Sequence, residues 1–192
     1  MYTSDCDVKE LETRFGAPLE REMEYEIAPW EHSVVVGSMH KGRAHDITFF
    51  IRKSDDADRL VVVSKPFFPH GAFRAPSGAA KPGESLEEGA LREAREETGL
   101  RVELTRYLVR IKAKFTSGDS EPIGWTTHVV EAREVAGRLE PIDTDEIAEA
   151  RWATFEELQG PIRQVLLDSG WDLFRYRVAL TDLTVETLEV KA

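Results

Sequence analysis

The sequence predicts an α+β chain in which a few helices pack on the faces of a mixed β-sheet. Three observations predict it. Runs rich in β-branched and aromatic residues recur at residues 46–52, 60–64 and about 106–116. Two Ser/Thr-x-x-Glu capping boxes, Ser85 with Glu88 and Thr154 with Glu157, each open a helix-periodic segment. Turn formers separate these segments, and 192 residues are enough for one domain with a sizeable core.

Taken in order, Val8, Leu11 and Phe15 lie three and four apart, which predicts a short amphipathic helix stopped by Gly16 and Pro18. Met23, Tyr25 and Ile27 alternate with Glu22, Glu24 and Glu26, the pattern of a half-buried strand, and Val34, Val35 and Val36 suggest another. Strands are expected over 46–52 and 60–64, with a turn at 54–58 between them. A loop with Pro66, Pro69 and Gly71 then leads through Arg74 to Gly78. The helix capped by Ser85 runs to Thr98 and stops at Gly99. A strand over about 106–116 turns at 117–120 into an antiparallel partner over 123–131. A loop over 134–146 precedes a short strand near 150–152. From Phe155 to about Leu167 the chain is expected to be helical, broken or kinked at Gly160 and Pro161. Residues 171–180 complete the fold as a helix or a strand.

The composition bounds the function. A net charge of −11 argues against a duplex nucleic-acid binder, which needs a basic footprint. An acidic enzyme can still take a phosphate substrate if local basic groups or bound cations offset its field, a first pointer to a divalent metal. No apolar run approaches the roughly 20 residues that span a bilayer, so no membrane partner is expected. The first seven residues lack the basic and apolar regions of a secretory signal. The single cysteine, Cys6, cannot form an internal disulfide and reads as neutral for function, and a reducing cytoplasm is the expected location.

The chemistry concentrates in residues 78–100. Helical residues advance about 100° each, so with Glu93 at zero Glu97 lies near ~40° and Glu96 near ~−60°. Three carboxylates therefore share one face, with Gly89 beside them leaving room for something to approach. Like charges at these spacings repel, and a bound cation would relieve the repulsion. Oxygen ligands without cysteine or histidine favour Mg²⁺ or Mn²⁺ over Zn²⁺. A solvated charged face is the alternative that composition alone favours. Against it stand the preceding Gly-x₅-Glu loop with Pro82-Gly83, the interleaved Arg92 and Arg95, and the Gly99 stop.

In this pattern the segment resembles the Nudix box, Gly-x₅-Glu-x₇-Arg-Glu-U-x-Glu-Glu-x-Gly-U with U a bulky aliphatic, through Gly78, Glu84, Arg92, Glu93, Glu96, Glu97, Gly99 and Leu100. Ala94 departs from it, which suggests closer packing of helix on sheet. The box covers 23 of 192 residues, and the order of strands extends the resemblance to about 45–168. It implies a Nudix-type α/β/α sandwich with a mixed central β-sheet. The chain is then divided into an N-terminal extension over 1–44 (a short helix and strand that cover the sheet or build a homodimer contact), a hydrolase domain over 45–180 and a C-terminal tail over 181–192.

The resemblance also implies an activity: Mg²⁺-dependent cleavage, by metal-activated water, of a small-molecule phosphoanhydride, with Mn²⁺ as a substitute ion. The substrate class is a nucleoside diphosphate linked to another moiety, or a nucleoside triphosphate. Glu93, Glu96 and Glu97 would ligate the metal, with a backbone carbonyl near Ser77 completing a site. Arg92 would hold carboxylates in place, pairing with Glu84 or Glu93, and Gly78, Glu84 and Gly99 are read as structural. The general base is Glu93, Glu97 or an acid of the later loop (Asp143, Asp145, Glu146, Glu149), with Glu146 preferred. For substrate binding the candidates are Arg74 and Lys65 near the box and Arg110, Lys112 and Lys114 on the following strand, which either line a phosphate pocket or face solvent. Phe67, Phe115 and Trp125 could stack a base, but core packing is the preferred reading, and His128 reads as an ordinary half-buried histidine. The leaving group is not legible. The proline usual about 15 residues past the box in ADP-ribose pyrophosphatases is replaced by the stretch Lys114, Phe115, Thr116, and the tyrosine of diadenosine-polyphosphate hydrolases and the upstream signature of coenzyme A pyrophosphatases are absent. A Nudix-fold isomerase would need a pocket cysteine. A non-catalytic nucleotide sensor, the alternative function, typically loses box glutamates, whereas this box is intact.

Overall fold

The longest hairpin organises the sheet. Strands β5 (Leu100–Thr116) and β6 (Ile123–Gly137) pair antiparallel from Leu100–Gly137 down to Phe115–Ile123. On the outer side of β5, β1 (Leu19–Glu26) adds in parallel, and on the outer side of β6, β2 (His45–Arg52) also adds in parallel. Antiparallel pairs then attach β3 (Arg59–Ser64) to β2, β7 (Glu149–Thr154) to β3 and the two-residue β4 (Ser77–Gly78) to β2. The result is a seven-stranded mixed sheet of order β1-β5-β6-β2-β3-β7 with β4 to one side, seen in a computed structural model that describes residues 3–39 and 42–189.

Side chains alternate across a strand, so each face of the sheet carries its own core. Helices α1 (Asp5–Phe15) and α3 (Leu86–Thr98) cover one face, over Ile47, Phe49, Ile51, Val61, Val63 and Val130. Helix α2 (Pro29–Ser38), the helical segment 155–168 and α6 (Asp172–Glu189) cover the other, over Phe50, Leu60, Val62, Val109, Ile111 and Val129. This is the α/β/α sandwich expected. Among the described residues no helix is long and apolar enough to cross a membrane.

Several elements depart from the sequence reading. The Val34–Val36 run is helical: Pro29 sits at the start of α2 with its φ already suited to a helix, and the Glu31 carboxylate accepts the Ala28 N–H. Strand β5 starts at Leu100, and β6 runs to Gly137, because the hairpin continues past register shifts near Val102, Arg106 and Val109. At Gly160-Pro161, where a break or kink is expected, regular α-helical bonding is interrupted by a π-helical turn (Leu158–Ile162) between α4 (Phe155–Glu157) and α5 (Arg163–Asp168). Residues 171–180 are helical, and α6 continues past 180 to Glu189, burying Thr184, Val185 and Leu188. Only residues 190–192 of the expected tail lie outside the described residues. The N-terminal segment supplies one sheet edge and a helix on each face.

Candidate active site

The box forms a loop–helix unit whose geometry depends on glycine. Ser85 caps α3 by accepting the Glu88 N–H at 3.1 Å, and the Glu88 carboxylate returns a bond to the Ser85 N–H at 2.9 Å. Such a cap stabilises a helix end by about 1 kcal/mol. Gly99 ends the helix at φ 75°, and any side chain there would strike the Glu140 carbonyl. At Gly78 a Cβ would collide with the Glu93 carboxyl carbon, so β4 can lie against Glu93 only because it has none. The room beside Gly89 is filled by the Ala80 backbone, 2.5 Å from where a Cβ would be.

Arg92 ties the acids together. Its Nε and one Nη donate to both oxygens of Glu84 at 2.8 and 2.9 Å, and its other Nη reaches Glu93 and Glu96, each at 2.9 Å. It also donates to the Ala79 carbonyl, fixing the loop. The Arg92 guanidinium holds the Glu84 carboxyl down at about 2. Glu97 behaves differently. It is buried, and one carboxylate oxygen accepts the Ser77 N–H at 2.9 Å. Burial pushes its carboxyl up to about 7. Arg74 and Lys65 oppose that shift, and the negative charges of Glu146 and Glu93 reinforce it.

The loop after β6 is stitched to the end of α3. Glu140 N–H donates to the Thr98 carbonyl, and Ile142 and Asp143 N–H both donate to that of Glu96. Asp143 then accepts the Glu146 N–H at 3.0 Å, and the buried Ile147 pins the segment, so that Glu146 ion-pairs with Lys65. These contacts bring Glu93, Ser77, Gly78, Glu146, Lys65 and Arg74 to one open cavity of about 310 Å³.

The opposite wall comes from α2, β2, β6 and α6. Asp46, 3% exposed, accepts from Trp125 Nε1 at 3.0 Å, Thr127 Oγ1 at 2.5 Å and Arg177 at 3.1 Å. Desolvation works against its charge, but Arg177, Thr127 and Trp125 together hold the Asp46 carboxyl below its usual range. Tyr176 donates to Thr127 at 2.7 Å, and Arg177 also reaches Thr48 at 3.1 Å.

The donor chemistry of the box wall fits a hard divalent cation: Glu93, Glu97 and the Ser77–Gly78 backbone offer oxygen, and the Glu97 site gathers negative charge that such an ion would offset. Among the described residues no three acidic, histidine or cysteine side chains are already converged on one point. Glu96 in particular is turned toward Arg92 and, at 3.9 Å, Lys81.

Not every expected residue reaches the cavity. Arg110, Lys112 and Lys114 lie on the opposite face of β5 from Ile111, Ala113 and Phe115 and pair with acids of α1 and β1: Arg110 with Glu12 and Glu20, Lys112 with Glu20, Lys114 with Glu24. The parallel addition of β1 puts its glutamates beside these cations, a pairing invisible from β5 alone. Phe115 and Trp125 are buried as expected, though both edge the cavity, whereas Phe67 is 64% exposed. His128 is fully buried, between His45 at 3.0 Å and Tyr107 at 2.5 Å. Asp46 and Arg177 were not anticipated. Asp46 reads as the start of an ordinary strand, and Arg177 lies in a segment without a motif.

A family model, that of the NUDIX domain, matches residues 44–169. The chain belongs to the Nudix family. Helices α1 and α2, strand β1 and helix α6 lie outside the matched segment. A relative from Photobacterium profundum, the NAD-capped RNA hydrolase NudC, is 29% identical over 126 residues, covering 62% of this chain and 43% of its own. The Nudix chain described here thus spans less than half the length of that relative. Two solved structures are similar: a UDP-X diphosphatase (TM-score 0.46, 17% identity, 73% of each chain) and an ADP-ribose pyrophosphatase from Streptococcus suis 89-1591 (TM-score 0.41, 16% identity, 57% of this chain and 72% of that one).

Proposed function

We propose that this Nudix chain is an Mg²⁺-dependent pyrophosphohydrolase acting on a nucleoside diphosphate joined to another group, or on a nucleoside triphosphate. The observation that carries the reading is the meeting of Glu93, Glu146, the Ser77–Gly78 backbone and the buried Arg74 at one cavity, with Glu97 directly behind Ser77. The named activity of the Photobacterium relative, on an RNA capped with a dinucleotide, supports including dinucleotide linkages in the class.

In this reading Glu93 and Glu97 would hold the ion together with a carbonyl near Ser77, and Glu96 would be available to them on release from Arg92. When bound, Mg²⁺ neutralises phosphate oxygens and lowers the pKa of the attacking water. Glu146, reached from the loop tied to α3, accepts the water proton. The new P–O bond forms as the bridging anhydride P–O bond breaks, and the departing phosphate leaves as an anion. Arg92 keeps Glu93 oriented, and Lys65 keeps Glu146 at the cavity until substrate competes for it.

The test is a panel of nucleoside triphosphates, nucleoside diphosphate sugars and dinucleotides with Mg²⁺, run on wild type, Glu97→Gln and Glu146→Gln. Wild type should turn over at least one class, and Glu97→Gln should lose on the order of a thousandfold or more. Glu146→Gln should lose about a hundredfold in kcat with little change in KM. Wild-type protein inert on the whole panel and without Mg²⁺ binding would overturn the reading in favour of a nucleotide sensor.

A further inference from the structure

Arg74 is a buried cation that makes no ion pair among the described residues. It is 6% exposed, and the hydrogen bonds of its guanidinium all come from one Nη, to the Ala75 carbonyl at 2.7 Å and the Ser77 hydroxyl at 3.0 Å. Both partners are neutral. Among the described residues no carboxylate forms an ion pair with it, and Glu97, Asp46 and Glu146 act on it only from a distance. Its Nε and other Nη make no bond to a described residue, yet neither is sealed away as a buried, partnerless atom. Arg74 itself lines the cavity beside Glu93. Burying an unpaired charge is costly, so a fold that keeps one aims it at something that arrives later.

A second guanidinium faces the same cavity. Arg177 spends two donors on Asp46 and Thr48, which fix its plane, and its side chain keeps 21% of its surface exposed. The two cations are close enough that Arg177, after burial itself, is the main influence lowering the affinity of Arg74 for its proton. Arg74 on the box side and Arg177 on the opposite wall thus present two guanidinium groups to one cavity, an arrangement that a bound anion would stabilise. A guanidinium presents several N–H donors in a plane, a geometry suited to the oxygens of a tetrahedral phosphoryl group.

We propose that Arg74 and Arg177 form a two-arginine site that binds a phosphoryl group of the substrate, with Arg177 supplied by α6 from outside the family-matched segment and aligned by Asp46. The proposal deepens the hydrolase reading and rests on it for the identity of the natural ligand. The bound anion would provide an ion-pair partner for Arg74 and set how far the substrate extends from Glu93. Substrates offering a second phosphoryl group there are favoured over those with a neutral group.

The test uses pyrophosphate as probe, titrated into the full chain in EDTA by calorimetry, so that neither metal nor turnover is involved. Binding should weaken about tenfold or more in Arg177→Gln and in Arg74→Gln, the loss of one charge-assisted contact. The amide introduced by Arg177→Gln can still donate to Asp46, which keeps the wall intact. In a turnover assay Arg177→Gln should raise KM by a similar factor and change kcat much less, a split that a general loosening of the fold would not give. Unchanged pyrophosphate binding in Arg177→Gln overturns the proposal, as does weakening in Arg74→Gln alone. If Arg177→Gln lacks the native near-UV circular dichroism spectrum, Arg177→Met, which keeps the stem and removes the charge, decides: weakened binding in a natively folded variant supports the contact, and unchanged binding contradicts it. A chain inert on every nucleotide but binding pyrophosphate through both arginines would defeat the hydrolase reading and leave this site standing.

Discussion

The two walls of the cavity are built on different principles. The box wall is local: a capped helix, a glycine-bearing loop and one arginine hold Glu84, Glu93 and Glu96 through contacts within about one turn or across one loop. The facing wall is assembled from Asp46, Trp125, Thr127, Tyr176 and Arg177, residues up to 131 positions apart, around one buried carboxylate. The first is acidic and suits a cation, and the second presents the Arg177 guanidinium and suits an anion. On the proposed reading, a phosphoanhydride with its metal would use both.

The contrast can be broken from either side. On the box wall, Gly78→Ala drives a Cβ into the flexible end of Glu93, so the protein should fold while Glu93 moves. Displacements of about 1 Å can cost on the order of a hundredfold in rate, and kcat should fall by about that factor with a melting temperature near wild type. Steady-state kinetics with calorimetric melting checks both. Gly89→Ala is the counterpart, because its Cβ meets the Ala80 backbone instead, and it should lower stability by about 1–3 kcal/mol.

On the facing wall, Asp46→Ala leaves Arg177, Trp125 and Thr127 without their shared acceptor. Removing one partner of a buried charged pair costs about 3 kcal/mol, readable from denaturant midpoints, and Mg²⁺ binding should survive in the folded fraction. Behind the sheet, on the α1 side, His128 provides an effect set mainly by its own burial. Burial, then the neighbouring His45, pulls its pKa down to about 3. The fold therefore favours neutral histidine. Its contribution is complete above the unfolded value near 6.5 and is lost as pH falls toward 3, by about 1.4 kcal/mol per pH unit. Glu97, raised to about 7 in the fold, gives a slope of opposite sign over the same range, so the effect is read as a difference in unfolding free energy: from pH 7 to 5 wild type should lose more stability, or gain less, than His128→Gln.

The same contrast explains what the sequence revealed. The box wall was legible because its signals are short-range: Ser85 with Glu88, Gly99 and the helical spacing of Glu93 and Glu97 each report a contact a few residues away. Ala94 is fully buried against the sheet, as its small size suggested. The facing wall was not legible, because nothing near Arg177 announces Asp46, and the parallel addition of β1 that claims Arg110 and Lys114 depends on a strand about 90 residues earlier. The Val34–Val36 run misled because β-branched residues favour strands, while Pro29 and Glu31, the helix-start signals, lie before it.

The division of labour between the walls is tested most directly by Mn²⁺ binding, followed by electron paramagnetic resonance on wild type, Glu97→Gln and Arg177→Gln. Glu97→Gln should bind Mn²⁺ about tenfold or more weakly, while Arg177→Gln should match wild type. Equal Mn²⁺ binding in all three, or a loss in Arg177→Gln as large as in Glu97→Gln, would contradict the account.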